Sequence, residues 1–583
     1  MIAASSSPQP THFSMPNLRD LRFLSLCALA ACGATPDGTP AAAVSATGGT
    51  LVISTPAEPD NLLPPITTSI SGRQVEDLIF QRLADIGASL NTMGDAGFTP
   101  NLATRWQWSP DSLSIAFTLD SAARWHDGVP VRAADVRFSL ALFTDPRVAS
   151  PTALLLANVD SISARDSLTA VVWFKQRRPD QFFEIVHQLY VLPEHLLRTA
   201  DRSRLAAAPI AMMPIGSGPF RVARWVPKQM LELVADTTAG RRRAQLDRVV
   251  FAVAPDPVTA FTRVVTGEAD LFEAVRPDKV AEVTSHPQLH LVLTPTLEYS
   301  YLGFNLVDQK TGRPHPLFGD RMVRRALTMA TDRRSIVMNV YDSLAVQARG
   351  PFTTAQSTAD TAHVPLPFAP DSANALLDAA GWMRGADSLR RRNGMLLAFG
   401  MLVPSTSVAR MRAAVLLQEQ FRRVGADVRI EGVDMGGFVS RISARRFDTM
   451  VGAWNQDAGL ADLRAAWSSA AATAGGNNAG AYRSPQFDAH VDSGVAAFAP
   501  TAMRAHFAAA WRIIADDAPA IWLAEPLRVM AVHSRFVTSG MRPDAWWAGV
   551  AKWSIPPDRR IARDAPAPAP AHAAALAPAG ASR

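Results

Sequence analysis

Residues 299–341 read YSYLGFNLVDQKTGRPHPLFGDRMVRRALTMATDRRSIVMNVY, and this stretch decides the fold. Tyr301-Leu302-Gly303-Phe304-Asn305 is a short aromatic and apolar run with strand character, ending on an Asn suited to a turn. A loop containing Gly312, Pro314, Pro316 and Gly319 follows. Asp320 then predicts the N-cap of a helix that carries Val323, Leu327 and Ala330 on one face. Asp332 stops that helix and caps the next, which holds Ile336 and Val340. The local reading is strand, loop, helix, helix.

Working outward, 583 residues exceed what one hydrophobic core serves, so two or more lobes are expected. Hydrophobic residues make up 48% and charged residues 19%, which excludes a disordered chain. The net charge is +6, and lysine occurs only at 175, 228, 279, 310 and 552. The arginines are dispersed among acids with no aromatic-interleaved basic stripe, so a solvated surface is preferred and no nucleic-acid partner is expected. Two cysteines, Cys27 and Cys32, are the whole complement. The body therefore lacks the means for a disulfide, a thiolate metal cage or a cysteine nucleophile.

Both cysteines lie in a targeting segment. From Met15 the chain reads MPNLRDLRFLSLCALAACGA, a short basic region followed by an apolar core too short to span a bilayer. Leu29-Ala30-Ala31-Cys32-Gly33 resembles a bacterial lipobox, with Cys32 as the lipidated residue; an ordinary signal peptide is the alternative. Either Met1 or Met15 serves as the start. Residues 33–48 read as a flexible tether.

Further motifs occur in a consistent order. Thr50 to Ser54 is a buried strand, followed by the loop Thr55-Pro56-Ala57-Glu58-Pro59-Asp60-Asn61, and a helix is expected over Arg73 to Leu83. Pro100-Asn101-Leu102-Ala103-Thr104-Arg105-Trp106, the strand Ser114 to Leu119, Arg124-Trp125-His126-Asp127-Gly128 and Ala134-Asp135-Val136-Arg137-Phe138-Ser139 come next. His126 beside Asp127 is read as a turn, not a catalytic or metal pair. In Gly216-Ser217-Gly218-Pro219-Phe220 the glycines directly flank the serine and permit a tight turn, which is not the spacing of a nucleophile elbow. No phosphate-cradling loop and no His-Glu-x-x-His motif occur. Ala373 to Gly381 and Ala409 to Val424 read as helices, and Leu396 to Val403, Asp427 to Val433 and Asp448 to Ala453 as strands. The strand–helix–strand spacing predicts a parallel crossover unit, with ligands beyond the carboxyl ends of its strands.

Together these motifs, from about Gly49 to Pro557, resemble the family 5 solute-binding proteins, the peptide- and nickel-type receptors that feed ABC importers. The one mild departure is Trp125 where the family usually has Phe before His-Asp-Gly. The resemblance implies an α/β fold: a two-lobe periplasmic-binding-protein type II architecture with an extra subdomain in the first lobe. Lobe 1 is placed at 49–270 with the insertion at about 81–191, lobe 2 at 271–510, the return to lobe 1 at 511–560, and a disordered Ala/Pro tail at 561–583. It implies a monomeric, lipid-anchored receptor in the periplasm or on the outer face of the cell membrane. Such a receptor binds an oligopeptide or dipeptide between its lobes and delivers it to ABC permease and ATPase subunits. It is not an enzyme, and no cofactor or metal is assigned. A nickel chelate, haem or oligosaccharide as ligand, or a sensor or chaperone without an importer, are the alternatives. By resemblance Asp457 holds a peptide ammonium, with Asp462 as rival and a helix cap as the plain alternative. Trp454 and Trp467 are either pocket walls or core. Glu58, Tyr299, Asn455, Asn478 and Tyr482 complete the implied ligand-binding set.

Overall fold

The computed structural model describes residues 47–238, 243–460, 462–473 and 475–565. The expected targeting segment with Cys32 and most of the expected tether and tail lie outside these residues. Among the described residues no helix is long and apolar enough to cross a membrane.

The central stretch folds as its local chemistry requires. Glu298–Phe304 is a strand. Asp320 caps the helix Arg321–Met329 by accepting from the Met322 N–H at 2.9 Å. Asp332 caps Arg333–Val340 by accepting from the Ser335 N–H at 3.0 Å. The first helix among the described residues is shifted from the expected span: it runs Ile70–Ile79, because Ser69 accepts from Gly72 N–H and Phe80 is already extended. The strands Ala398–Pro404 and Asp427–Val433 pair in parallel around the helix Val408–Arg423, forming the expected crossover unit.

Two sheets organise the molecule. The first holds, in spatial order, Leu289–Thr294, Arg528–His533, Leu271–Phe272, Thr50–Thr55, Arg248–Val253, Met230–Ala235 and Phe220–Val226. The second holds Ala345–Gln347, Ala520–Pro526, Glu298–Phe304, Thr449–Asn455, Ala398–Pro404 and Asp427–Val433. Within the second sheet, residues alternate between two cores. Leu302, Phe304, Val451, Met401 and Leu523 face one, and Tyr299, Tyr301, Met450, Leu402 and Trp522 face the other. A separate four-stranded sheet, Ala103–Trp108, Ser114–Leu119, Thr169–Phe174 and Val159–Ala164, lies in the region of the expected insertion.

Strand pairing moves two expected boundaries. Leu271–Phe272 and Leu289–Thr294 pair within the first sheet, so the chain enters lobe 2 at 295–297 and not at 271. The helix Pro500–Asp517 and the strand Ala520–Pro526 belong to lobe 2, so the return falls at Leu527 and not at 511. Apolar strands of similar composition occur on both sides of each crossing, and only their partners separate them. Both ends of the first lobe are also ordered beyond expectation. Gly48 N–H donates to the Gln245 carbonyl at 2.7 Å. Asp564 is buried, accepting from Thr50 N–H at 2.9 Å and pairing with Arg535. Residues 561–565 are therefore not a disordered tail, because Asp564 is one of the two carboxylates, with Asp270, that neutralise the buried Arg535.

The His126–Asp127 turn is structural, as its sequence suggests. His126 Nδ1 accepts from Gly216 N–H and Nε2 donates to the Gly218 carbonyl, both at 3.1 Å. One neutral tautomer satisfies both bonds, and burial lowers the pKa of the ring accordingly. A Cβ on Gly216 would stand 1.7 Å from the Ile79 carbonyl oxygen. Gly216→Ala is therefore expected to destabilise the chain by more than about 3 kcal/mol, read as a fall in denaturation midpoint.

Candidate functional site

A cavity of about 280 Å³ lies between the two sheets' lobes. Its floor is where the chain crosses: Thr296 and Leu297 of the connection, Glu298 at the start of the strand that follows it, and Arg528 at the start of the other. Opposite walls come from the first helix and its approach (Thr67, Arg73, Glu76, Asp77), from His187 and Tyr190 of the insertion, and from Asn455 to Ala458 of lobe 2. The lobes also meet beyond the cavity. Ala458 packs into the lobe 1 core, Met93 into a lobe 2 core, and the Arg177 guanidinium lies 4.2 Å from the Phe498 ring centre.

One wall is a buried polar network. The Asp77 carboxylate accepts from Arg82 Nη1 at 2.6 Å, from the Tyr190 hydroxyl at 2.6 Å and from Trp547 Nε1 at 2.7 Å. Burial alone would raise the Asp77 pKa, but the Arg82 charge and these donors outweigh it, and the acid is held below its ordinary range. Arg82 also donates from Nε to the His187 carbonyl at 2.8 Å. Arg542 forms a two-pronged bond with Asp544, 2.9 Å on each side. Glu76 differs from its neighbour Asp77. Its hydroxyl donor is Thr67, no cation among the described residues forms an ion pair with it, and burial pushes its pKa up to about 8. The His187 ring stacks on Phe183, centroids 4.7 Å apart, and burial, then Arg82, pushes its pKa down to about 4. It is neutral at pH 7.

Arg528 stands out at the floor. Among the described residues its buried Nη1 has no hydrogen-bond partner. Burial lowers its pKa, with Glu273, Glu298 and Asp544 opposing that through space. An unsatisfied buried guanidinium donor is costly, and an incoming carboxylate would satisfy it.

The residues expected from sequence divide sharply. Asn455 and Asp457 line the cleft. Asp457 is exposed, and its Oδ1 accepts from Gly459 N–H at 2.7 Å, turning the chain ahead of the helix Asp462–Trp467. The side chain of Asp462 lies outside the described residues. Tyr299, Trp454, Trp467, Asn478 and Tyr482 instead surround a separate void of about 10 Å³ inside lobe 2, room for about one water molecule. Trp467 Nε1 donates to the Tyr299 hydroxyl at 2.8 Å, Asn478 spans the Trp467, Ser468 and Tyr482 carbonyls, and the Tyr482 hydroxyl donates to Asp517 at 2.8 Å. Pleating explains the division. Glu298 lies opposite Asn455 in the strand register and Tyr299 opposite Trp454, so the two pairs project to opposite faces. Glu58 is outside the cleft as well, accepting from Trp225 Nε1 and Lys228 N–H at 3.2 and 2.8 Å.

Sequence reasoning did not reach Asp77, Arg82, His187, Arg528, Arg542 or Asp544. They come from four distant segments, and only the dense run Arg542-Pro543-Asp544-Ala545-Trp546-Trp547 carried a compositional signal.

Two sheets joined by two adjacent crossings, with a polar cavity between them, define a two-lobe solute-binding protein. Residues 97–475 match the model for the middle region of bacterial extracellular solute-binding proteins, family 5. The chain belongs to that family. A Brucella abortus protein assigned to ABC-transporter peptide binding is 30% identical over 293 residues, 50% of this chain and 52% of that one. The chain thus spans about half the length of the Brucella relatives it matches. The oligopeptide-binding protein AppA of Bacillus subtilis is 25% identical over 438 residues, 73% of this chain and 78% of AppA. The solved structure of AppA with a nonapeptide has the same fold, with a TM-score of 0.70 and 23% identity over 87% of this chain and 99% of that one. So does NikZ of Campylobacter jejuni with Ni(L-His), at a TM-score of 0.71 and 21% identity over 87% and 99%. The family's proteins are extracellular solute-binding proteins.

The two acids on the first helix make opposite pH predictions. For Glu76 the folded pKa, about 8, lies above the ordinary 4.5, so between these values the folded state holds a proton that the unfolded state has lost. Its contribution is complete below about pH 4.5 and falls as pH rises toward 8. Glu76→Gln should therefore gain stability relative to wild type as pH is raised from 5 to 8 in denaturant melts. A difference that is flat across that range would mean Glu76 is ionised in the fold.

Proposed function

We propose that the chain is a receptor for short peptides, which it delivers to an ABC permease and its ATPase. The observation that carries this reading is the pairing, in one cleft, of an exposed carboxylate, Asp457, with a floor guanidinium, Arg528, that lacks a partner for Nη1 among the described residues. A zwitterionic peptide is complementary to that pair. Its ammonium meets Asp457, whose carboxylate retains acceptor capacity beyond its one bond to Gly459, and its terminal carboxylate meets Arg528. Peptides bound to relatives, such as the nonapeptide of AppA, support the class of ligand. Bound ligand would bridge walls from both lobes and so favour the closed arrangement by its greater affinity for it. The protein is proposed to act as a monomer, tethered through diacylated Cys32 in the periplasm or on the outer face of the cell membrane, since two or more acyl chains anchor firmly where one does not.

Titration calorimetry with free, N-acetylated and C-amidated tripeptides tests the assignment of ends. Asp457→Asn should weaken free tripeptides at least tenfold, about 1.4 kcal/mol, while leaving the weaker binding of N-acetylated ones unchanged. Arg528→Gln should do the same with respect to C-amidated ones. Blocked peptides binding the wild type as tightly as free ones would sink the charged-end reading.

A metal chelate is the second reading, favoured by His187: a neutral imidazole on the cleft wall can ligate a metal without first losing a proton. Nickel–histidine that binds the wild type and not His187→Asn would select it over peptides.

A further inference from the structure

Away from the cleft, the helices Pro485–Ala496 and Pro500–Asp517 of lobe 2 bring two histidines together. His490 Nδ1 and His506 Nδ1 stand 3.3 Å apart, with ring centroids 5.6 Å apart and planes inclined by 46°. Both rings are half-buried at the edge of the helix pair. The placement is fixed by packing. Phe487 and Val491 on one helix and Met503, Phe507 and Trp511 on the other belong to one core. Gly494, one turn beyond His490, lets the Phe507 ring approach where a Cβ would stand 3.1 Å from it.

The spacing is a poor fit to a bond between the two rings and a good fit to a shared ion. As a hydrogen bond it requires one ring to carry its proton on Nδ1 and the other to be bare, and it is longer than the usual N–H donor distance of about 2.9–3.0 Å. With both rings protonated, two cations would be in contact. A tetrahedral divalent ion with bonds of about 2.0–2.1 Å to imidazole nitrogen holds its ligand nitrogens about 3.3–3.4 Å apart. The observed Nδ1–Nδ1 separation matches that distance.

We propose that His490 and His506 form a two-histidine site for a borderline divalent transition-metal ion, zinc, nickel or copper, that staples the two helices together. Imidazole nitrogen selects these ions over magnesium and calcium, which take oxygen ligands. Among the described residues no group of three or more His, Cys, Asp or Glu side chains is placed to hold a metal. The remaining positions belong to water, and the ion is exchangeable. The site is independent of the cleft and of the ligand proposed there.

Calorimetric titration of the intact chain with zinc chloride, in buffer free of histidine and peptide, is the test. One zinc ion is expected to bind at this pair, with affinity lowered at least tenfold in both His490→Asn and His506→Asn. Magnesium chloride should give no binding heat. Copper(II) paramagnetic resonance of the unmutated chain reads the same site without relying on a variant's folding and should show coupling to two imidazole nitrogens. Zinc affinity unchanged in either histidine variant, loss of binding only in His187→Asn, or a copper spectrum without a pair of nitrogen couplings would each overturn the proposal.

Discussion

Where the two strands that join the lobes run side by side, the Thr296 hydroxyl donates to the Pro526 carbonyl at 2.7 Å. The first connection is Pro295 to Leu297 and the second is Leu527 alone, so the lobes are linked by a few residues that share this bond. Everything in the cleft is referred to that point. Glu298 and Arg528 begin the strands leaving it on either side, and both line the cavity. A rotation of one lobe against the other would alter the backbone angles of these few residues while leaving both sheets intact, which is the geometry of a hinge.

Above that floor, the electrostatics of the cleft are uneven in a way that bears on binding. Asp77, Arg82, Arg542 and Asp544 largely satisfy one another and form a rigid wall. Glu76 is kept neutral by burial, and His187 is kept neutral by burial together with the nearby Arg82. Asp457 and Arg528 carry charge that this network does not satisfy. A network that is internally satisfied resists displacement, whereas a carboxylate in water and a guanidinium whose buried Nη1 lacks a partner among the described residues gain from an incoming charge. That contrast distinguishes the groups that shape the cleft from those placed to hold a ligand.

The aromatic groups tell the complementary story. Trp454, Trp467, Tyr299 and Tyr482 had the composition of a pocket lining, yet they enclose room for about one water molecule. Trp467 Nε1 bonds to the Tyr299 hydroxyl, the Tyr482 hydroxyl to Asp517, and Asn478 to backbone carbonyls of lobe 2. Aromatic residues next to a functional loop are as well suited to locking that loop onto its core as to meeting a ligand. Here they fix the strand from which Asn455 and Asp457 emerge.

The local elements were legible in the sequence because their causes are local. Asp320 and Asp332 cap their helices through bonds to the second and third N–H groups ahead, and Asp427–Val433 is bounded by Gly425 and Asp434. The order of short motifs likewise carried the family and the two-lobe architecture. Tertiary structure alone decided where the chain changes lobe, since that depends on which strand Leu289–Thr294 and Ala520–Pro526 pair with. It decided which of two adjacent residues faces the cleft, because a single step along a strand reverses the side chain. It also decided the company of Arg528: burial, and the absence of a partner for Nη1 among the described residues, arise from segments hundreds of residues apart that no pattern along the chain connects.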